Sequence, residues 1–268
     1  MSPVGPLRPT SRTGAFVTAF AASRAGYETL RRVVGDTSEG WRRENRAGRS
    51  VDLFAGPAVA GGSVLGSGGA AGAAVVAAAA ACGAYDDVAG RGDPRRGFRA
   101  HLGALRRGEV TSGTVKLVGI GAAGLLAGAL LKDRPVDKLL AGVVIAGTAH
   151  AVNLVDVAPG RAVLAVLGAG APGLLRGGAA GAYAASAMGS VAAVALDDLG
   201  QRTMLGDTGA HAAGAALGTA IAAGNGRVGL ALHAAALVGA AAYGQRVSAL
   251  VAGTPRHSGP TDAGPSPV

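Results

Sequence analysis

The chain has 268 residues, of which 49% are hydrophobic and 15% charged, with 47 glycines and a formal net charge of +9. Soluble domains average about 25% charged residues, so this chain lacks the polar residues that would cover a soluble protein. The apolar content excludes disorder over most of the length. Aromatic residues make up only 3%, which leaves few platforms for base stacking, so we expect no nucleic-acid partner. The composition predicts an all-α, polytopic transmembrane helix bundle built from small residues.

The predicted elements follow one another in chain order between two tails. Residues 1–12 and 253–268 are rich in Pro, Gly, Ser and Thr and predict disorder, which leaves a membrane domain over 13–252. Segment 14–34 predicts a weak or amphipathic first membrane helix or, alternatively, a signal peptide. Apolar runs then occupy 57–84, 117–131, 139–155, 162–175, 178–196, 208–224 and 228–243. With a tight hairpin near 66–69, they predict about nine or ten short helices.

The distribution of arginine predicts the orientation of the bundle in the cell membrane. Arginines concentrate in segments 40–50 and 91–107, and the positive-inside rule places both in the cytoplasm. Counting crossings from there puts the turn at 132–137 outside. Its cations Lys132 and Arg134 fit that position poorly, because the same rule favours them on the cytoplasmic side.

Four polar islands interrupt the apolar runs, and the predicted topology puts them all on the cytoplasmic side. Each one alone is interpreted as the solvated end of a helix. Together they bring four acids, an amide and a lysine to one face, a combination that suits Mg²⁺ and a pyrophosphate. The residues are Asp86, Asp87, Lys116, Asn153, Asp156 and Asp207.

The order and spacing of these islands resemble those of a known enzyme family. The chain is similar to the polyprenyl-phosphate N-acetylhexosamine-1-phosphate transferases, the superfamily of the phospho-MurNAc-pentapeptide transferase, as a divergent and shortened member. Those proteins carry an Asp-Asp pair ending a helix, a Lys opening the next, an Asn-x-x-Asp loop and a Gly-Asp-x-Gly motif. The matching segments are GAYDD (83–87), VKLVGIG (115–121), NLVD (153–156) and MLGDTGA (204–210), with a similar first loop at 41–62.

The resemblance implies a function at the cytoplasmic face in the synthesis of cell-envelope polymers. A sugar-1-phosphate would pass from a UDP-sugar to polyprenyl phosphate, with release of UMP and with Mg²⁺ as cofactor. Asp207 would be the metal ligand. Asp86 or Asp87 would hold the metal or take the proton of the lipid phosphate. Lys116 would neutralise the transferring phosphates, and the basic loop from Arg91 would attract the anionic substrates.

The resemblance also implies that Asn153 and Asp156 contact the nucleotide. The chain departs from the family pattern where Pro159 replaces the second acid of that loop. It also lacks a His-rich late cytoplasmic loop, since only His257 follows residue 245. Two alternatives stay open: a non-catalytic membrane homologue that binds a lipid phosphate, and a small transporter. Membrane lipid is an expected partner in each case, and a homodimer is left open as the assembly.

Other polar and glycine patterns receive structural interpretations. Gly119–Gly124 and Gly168–Gly173 match the dinucleotide-binding spacing, but the amphipathic helix and the acid that should follow are missing. His211 follows Asp207 by one helical turn and is expected to face the site. The pair Asp197–Asp198 is interpreted as a helix end or as support for Asp207.

Overall fold

A computed structural model of the chain describes residues 11–35, 39–91, 95 and 97–252, without the side chains of residues 98 and 99. Within these ranges the regular secondary structure is helical apart from one short β-hairpin, which confirms the all-α class. The strands are β1 (Arg42–Glu44) and β2 (Ser50–Asp52), and they pair antiparallel. The helices are α1 (Arg12–Val33), α2 (Ala55–Gly66), α3 (Ala70–Ala89), α4 (Phe98–Arg106), α5 (Ser112–Leu131), α6 (Pro135–Val155), α7 (Arg161–Gly170), α8 (Gly178–Ala192), α9 (Ala195–Leu199), α10 (Gly206–Gly224), α11 (Arg227–Ala242) and α12 (Gly244–Ala252).

Three helices in the described ranges, α3, α5 and α6, are long and apolar enough to cross a membrane. The pair α11 and α12, bent by 82°, makes a fourth if it counts as one span. A 20-residue helix is about 30 Å long, which matches the hydrocarbon core. Large apolar side chains such as Leu126, Leu130 and Leu232 are exposed on the bundle, as in a protein surrounded by lipid. Length and composition thus support a membrane protein. Because only these three or four helices of the described ranges are long and apolar enough to cross a membrane, the predicted polytopic bundle of about nine or ten short membrane helices is not confirmed.

Helix α10 lies at the centre of the bundle and is buried along nearly its whole length. Its residues are mainly Gly and Ala, so the neighbouring helices α2, α3, α6 and α8 pack close to its backbone. The largest apolar core runs through this region and includes Val152, Leu205 and Leu217. The start of α10, which carries Asp207, is therefore held by several helices at once.

Helix α1 packs against α2 and α8. Its buried residues Ala15, Ala19, Ser23 and Tyr27 recur every four positions, so they form one stripe along the helix. The predicted first segment is therefore an element of the bundle itself. It is not among the helices long and apolar enough to cross a membrane.

Basic side chains hold the end of α10 that lies far from Asp207. Lys132 Nζ donates to the carbonyl oxygen of Asn225 at 2.8 Å. Arg176 donates to the carbonyl oxygen of Gly224 at 3.2 Å. The last carbonyls of a helix lack partners within it, and cations there are favourable. This contact gives Lys132 a structural role in a turn where the positive-inside rule disfavours it.

Two expectations about local structure are met. The chain breaks between α2 and α3 at residues 67–69, where the sequence predicts a hairpin turn. The two glycine patterns with dinucleotide-binding spacing lie in α5 and at the end of α7, and the residues directly before each pattern are themselves helical. The strand-turn-helix unit of a dinucleotide-binding fold is therefore excluded at both places.

Candidate functional site

Three predicted residues meet where α3 ends and α5 and α10 begin. The ammonium of Lys116 donates to Asp86 Oδ2 at 2.6 Å and also to Asp207 Oδ2. The three residues come from different helices, 30 and 91 positions apart along the chain. Their side chains are 16%, 18% and 25% exposed for Lys116, Asp86 and Asp207. The cluster is partly desolvated but still open to a ligand.

Asp87, the neighbour of Asp86, has a different environment. Its Oδ1 accepts from the backbone N–H of Asp207 at 3.1 Å. Its Oδ2 accepts from the backbone N–H and the hydroxyl of Thr208 at 2.9 and 2.6 Å. A carboxylate at this place caps the free N–H groups of α10 and lies at the positive end of its dipole. Asp87 therefore positions α10, and Asp86 provides the carboxylate that faces Lys116.

Two glycines make this junction sterically feasible. A Cβ added to Gly83, one turn before Asp87, would lie 2.3 Å from the carbonyl oxygen of Asp207. Gly206 has a φ of +59°, and its added Cβ would lie 3.2 Å from both Asp87 carboxylate oxygens. A larger residue at either position would separate α3 from the start of α10.

The cluster lies at the charged end of a cavity of about 920 Å³. Apolar side chains of α5, α6 and α11 also line the cavity, among them Ile120, Val143 and Leu237, and Ile120 lies one helical turn beyond Lys116. The cavity is thus amphipathic, with phosphate-binding groups at one end and apolar walls beyond. The charged or polar residues that line the first end are Arg43, Asp86, Asp87, Arg91, Arg95, His101, Ser112, Lys116, Asn153 and Asp207.

The two residues predicted to contact a nucleotide are separated by the fold. Asn153 lines the cavity, whereas Asp156 is not among its lining residues. Desolvation raises the pKa of Asp156 well above its usual value, and the charges of Asp198, Asp207 and Asp87 raise it further. Asp156 therefore lies behind the site, close to the other acids.

The second acidic pair joins other elements. Asp198 Oδ2 accepts from the backbone N–H of Gly160 at 2.6 Å, and burial raises the pKa of this carboxyl to about 6. Asp197 accepts from Arg24 at 2.6 Å and from Arg202 at 2.9 Å. Desolvation opposes ionisation of Asp197, but these two partners lower its pKa below the usual value. Asp198 thus contacts Gly160, and Asp197 contacts two arginines. Support for Asp207 was one sequence-based interpretation of this pair, and these contacts are made to other residues.

His211 faces the site, as expected, since it is buried and lines the cavity. Its Nδ1 lies 2.7 Å from the carbonyl oxygen of Asp207. His101 was not among the predicted site residues; it lines the cavity from α4, and its Nδ1 lies 2.9 Å from the hydroxyl oxygen of Thr111. The amphipathic periodicity of α4 is the signal that could have identified it. Arg43 was not predicted as a site residue either. Its guanidinium donates to the carbonyl oxygen of Asp87 at 2.5 Å.

The basic loop contributes to the site only in part. Arg91 lines the cavity, and Arg106 and Arg107 at the end of α4 do not. Arg96 lies outside the described residues, as does the side chain of Arg99. Arg91 and Arg95 can therefore attract an anion at the cavity itself. Arg106 and Arg107 can attract it only through the longer-range field of their charges.

The protein groups available to a metal are few. The described part of the chain contains no group of three or more His, Cys, Asp or Glu side chains that could hold a metal ion. It does offer the carboxylates of Asp86 and Asp207, which already share one ammonium. Mg²⁺ typically keeps several waters and takes one or two carboxylates plus substrate phosphates. The donor set fits an ion of that kind, completed by the substrate.

No model of a known protein family matches the chain, and no curated protein is significantly similar to it. The functional interpretation therefore depends on the motifs and on the geometry of this cavity.

Proposed function

We propose that the protein is an integral membrane phosphoglycosyl transferase, which moves a sugar-1-phosphate from a UDP-sugar to polyprenyl phosphate. The observation that carries this proposal is the position of Lys116 between Asp86 and Asp207 at the charged end of an amphipathic cavity. One substrate joins a phosphate to a long apolar chain, and the other is a diphosphate. A cavity with cations at one end and apolar walls beyond suits both chemistries.

The reaction forms one P–O bond and breaks another. A phosphate oxygen of the lipid attacks the β-phosphorus of the UDP-sugar. The bond from that phosphorus to the oxygen bridging the two phosphates breaks, and its electron pair leaves with UMP. The attacking lipid phosphate is the dianion, so no proton has to be removed in this step, and Asp86 holds the ammonium of Lys116 beside it. Lys116 and Arg91 balance the negative charge that spreads over the phosphoryl oxygens in the transition state.

The remaining residues position the reactants. Asp207, together with Asp86, would hold Mg²⁺, which when bound supplies charge neutralisation on the diphosphate. Asp87 keeps the start of α10 in place through its hydrogen bonds to Asp207 and Thr208. Asn153 contacts the nucleotide from the cavity wall. Asp156 does not line the cavity and so has no direct contact with the nucleotide in this proposal. The proposal places the cavity mouth on the cytoplasmic side of the cell membrane, since the arginine-rich segments lie at that end.

The test is UMP release by the purified full chain in detergent, with polyprenyl phosphate, Mg²⁺ and a panel of UDP-sugars. We expect turnover with at least one UDP-sugar. Asp207→Asn should reduce it at least about a hundredfold, because an amide keeps the shape but loses the charge. Asp133→Asn, an exposed acid at the other end of α5, is the matched control and should leave turnover unchanged.

Mg²⁺-dependent thermal stabilisation provides a second measurement on the same variants. We expect Mg²⁺ to raise the melting temperature of the wild type and of Asp133→Asn, and not of Asp207→Asn. If no UDP-sugar yields UMP, and Mg²⁺ stabilises neither the wild type nor Asp133→Asn, the transferase proposal is wrong. The non-catalytic interpretation, a membrane protein that binds a lipid phosphate, then replaces it.

A further inference from the structure

A second cavity, of about 450 Å³, lies at the same end of the molecule. Four guanidinium groups line it, from the end of α1, from β1 and from the loop after α9. They belong to Arg31, Arg32, Arg42 and Arg202. Arginine presents a planar fork of N–H donors that matches the oxygens of a phosphate.

The β-hairpin formed by β1 and β2 separates this second cavity from the first cavity, which contains Lys116. Arg42 and Arg43 are consecutive residues of β1, and side chains of consecutive strand residues point to opposite sides. Arg42 accordingly lines the second cavity, and Arg43 lines the first. The second cavity is therefore a distinct site with its own basic residues.

The two acids in this second cavity already have partners. Glu28 Oε1 accepts from Arg24, which lies outside the cavity lining. Asp52 Oδ1 accepts from the backbone N–H of Phe54 at 3.1 Å. Burial raises the pKa of Asp52, while its hydrogen bonds and the charges of Arg31 and Arg42 act in the opposite direction. The described lining residues comprise four arginines and two acids, so the cavity lining carries a net positive charge.

A strained backbone residue also lines the second cavity. Gln201 has a φ of +55°. It is the only non-glycine residue in the described ranges with a positive φ. Its side chain accepts from Asn45 at 3.0 Å, so the hairpin holds it. The next residue, Arg202, is fixed through Nε to Asp197 at 2.9 Å. Strain of this kind is retained mainly where a local geometry serves a function.

We propose that the second cavity binds a phosphate group, carried either by the headgroup of an anionic phospholipid or by a small soluble phosphate. The cavity volume is within the range of small-ligand sites. Its arginines lie at the end of the bundle that carries the basic loops, where an anionic membrane surface attracts cations. The site is separate from the transferase reaction and does not depend on it.

The test compares two double variants with equal loss of charge. Arg32→Gln with Arg42→Gln removes two guanidiniums from the second cavity. Arg49→Gln with Arg106→Gln removes two exposed arginines at the same end that line neither cavity. The full chain is placed in nanodiscs with and without phosphatidylglycerol, and bound lipid is counted by native mass spectrometry. In a second arm, inorganic phosphate is titrated in phospholipid-free detergent and the melting temperature is followed.

We expect the cavity variant to lose at least about tenfold in affinity in one arm, since two charge-assisted contacts are removed, and the control to lose none. Loss confined to phosphatidylglycerol identifies a lipid headgroup, and loss confined to inorganic phosphate identifies a soluble ligand. Equal binding by wild type, cavity variant and control in both arms would overturn the proposal. If the double variant is unstable, the exposed single substitution Arg32→Gln should still weaken binding relative to Arg106→Gln. UMP release is not a readout here, so the transferase proposal is tested independently.

Discussion

Asp86 and Asp87 are chemically identical neighbours, and their surroundings give them different roles. Asp86 contacts the ammonium of Lys116, whereas both oxygens of Asp87 accept hydrogen bonds at the start of α10. The Asp-Asp pair could be predicted as part of a site, because two acids ending an apolar run are unusual. Which acid faces the ligand could not, since it depends on how α3 rotates against α10.

The two acids should therefore respond differently to the same substitution. Asp87→Asn should lower stability by about 1–2 kcal/mol, because a charged helix cap is replaced by a neutral one. Asp86→Asn should cost less stability, because Lys116 keeps Asp207 as a partner. Both should reduce UMP release. Thermal unfolding in detergent measures the difference, with Asp133→Asn as control, and equal melting temperatures for the two variants would contradict the assignment.

Asp198 should make stability depend on pH. Burial raises its pKa to about 6 in the folded chain, against about 3.9 in an unfolded one. A carboxyl with a raised folded pKa favours folding while it is protonated. Its contribution is complete below about pH 4 and is lost as the pH rises through 6.

The measurement compares wild type with Asp198→Asn, which keeps an acceptor for the Gly160 N–H. Between pH 4.5 and 7.5 the wild type should lose on the order of 2 kcal/mol relative to the variant. A difference in melting temperature that stays constant with pH, or grows in the opposite direction, would show that Asp198 titrates normally.

At the scale of elements, the contact between α3 and α10 determines the site. Gly83 leaves no room for a side chain, since an added Cβ would lie 2.3 Å from the carbonyl oxygen of Asp207. Gly83→Ala should force the helices apart, cost roughly 1–3 kcal/mol and remove most UMP release. Gly61→Ala in α2 is the matched control, because nothing lies within 4 Å of its added Cβ.

The control substitution should be neutral or slightly stabilising, because Ala favours the helix interior over Gly by about 0.5–1 kcal/mol. Thermal unfolding and UMP release are measured on both variants. If Gly83→Ala behaves like Gly61→Ala, the close approach of α3 and α10 is not needed.

Helices and their breaks could be predicted better than helix contacts. The apolar runs identify the long helices, and the glycines at 66–69 identify the turn between α2 and α3. Gly83 could not be singled out, because it lies among many Ala and Gly residues with the same local pattern. Helix α4 was missed because its arginines suggest a loop, although its periodicity is helical.

At the scale of the whole molecule, the two ends of the bundle should face opposite sides of the membrane. Arg106 lies just before α5 and Asp133 just after it, and this helix is 20 residues long, or about 30 Å. Cys82 is the single cysteine of the chain, so a Cys82→Ala background permits site-directed labelling.

A membrane-impermeant maleimide should label Asp133→Cys in intact cells and label Arg106→Cys only after lysis. Labelling is measured as a mass shift on a gel. The Cys82→Ala protein without an added cysteine is the control, and it should fold normally and remain unlabelled. Equal labelling of both sites in intact cells would contradict a transmembrane α5. Labelling of Arg106→Cys alone would reverse the proposed orientation.

The sequence by itself determined the helical class, the apolar character and the order of Asp86, Asp87, Lys116 and Asp207 along the chain. These are properties of composition and local periodicity, which short segments already contain. Only the tertiary structure decided that Lys116 lies between two carboxylates and that Asp87 caps α10. It also decided that four arginines surround a second cavity. These contacts join residues 30 to 121 positions apart within the first site, and they exist only once the helices pack, because packing alone sets which faces of distant segments meet.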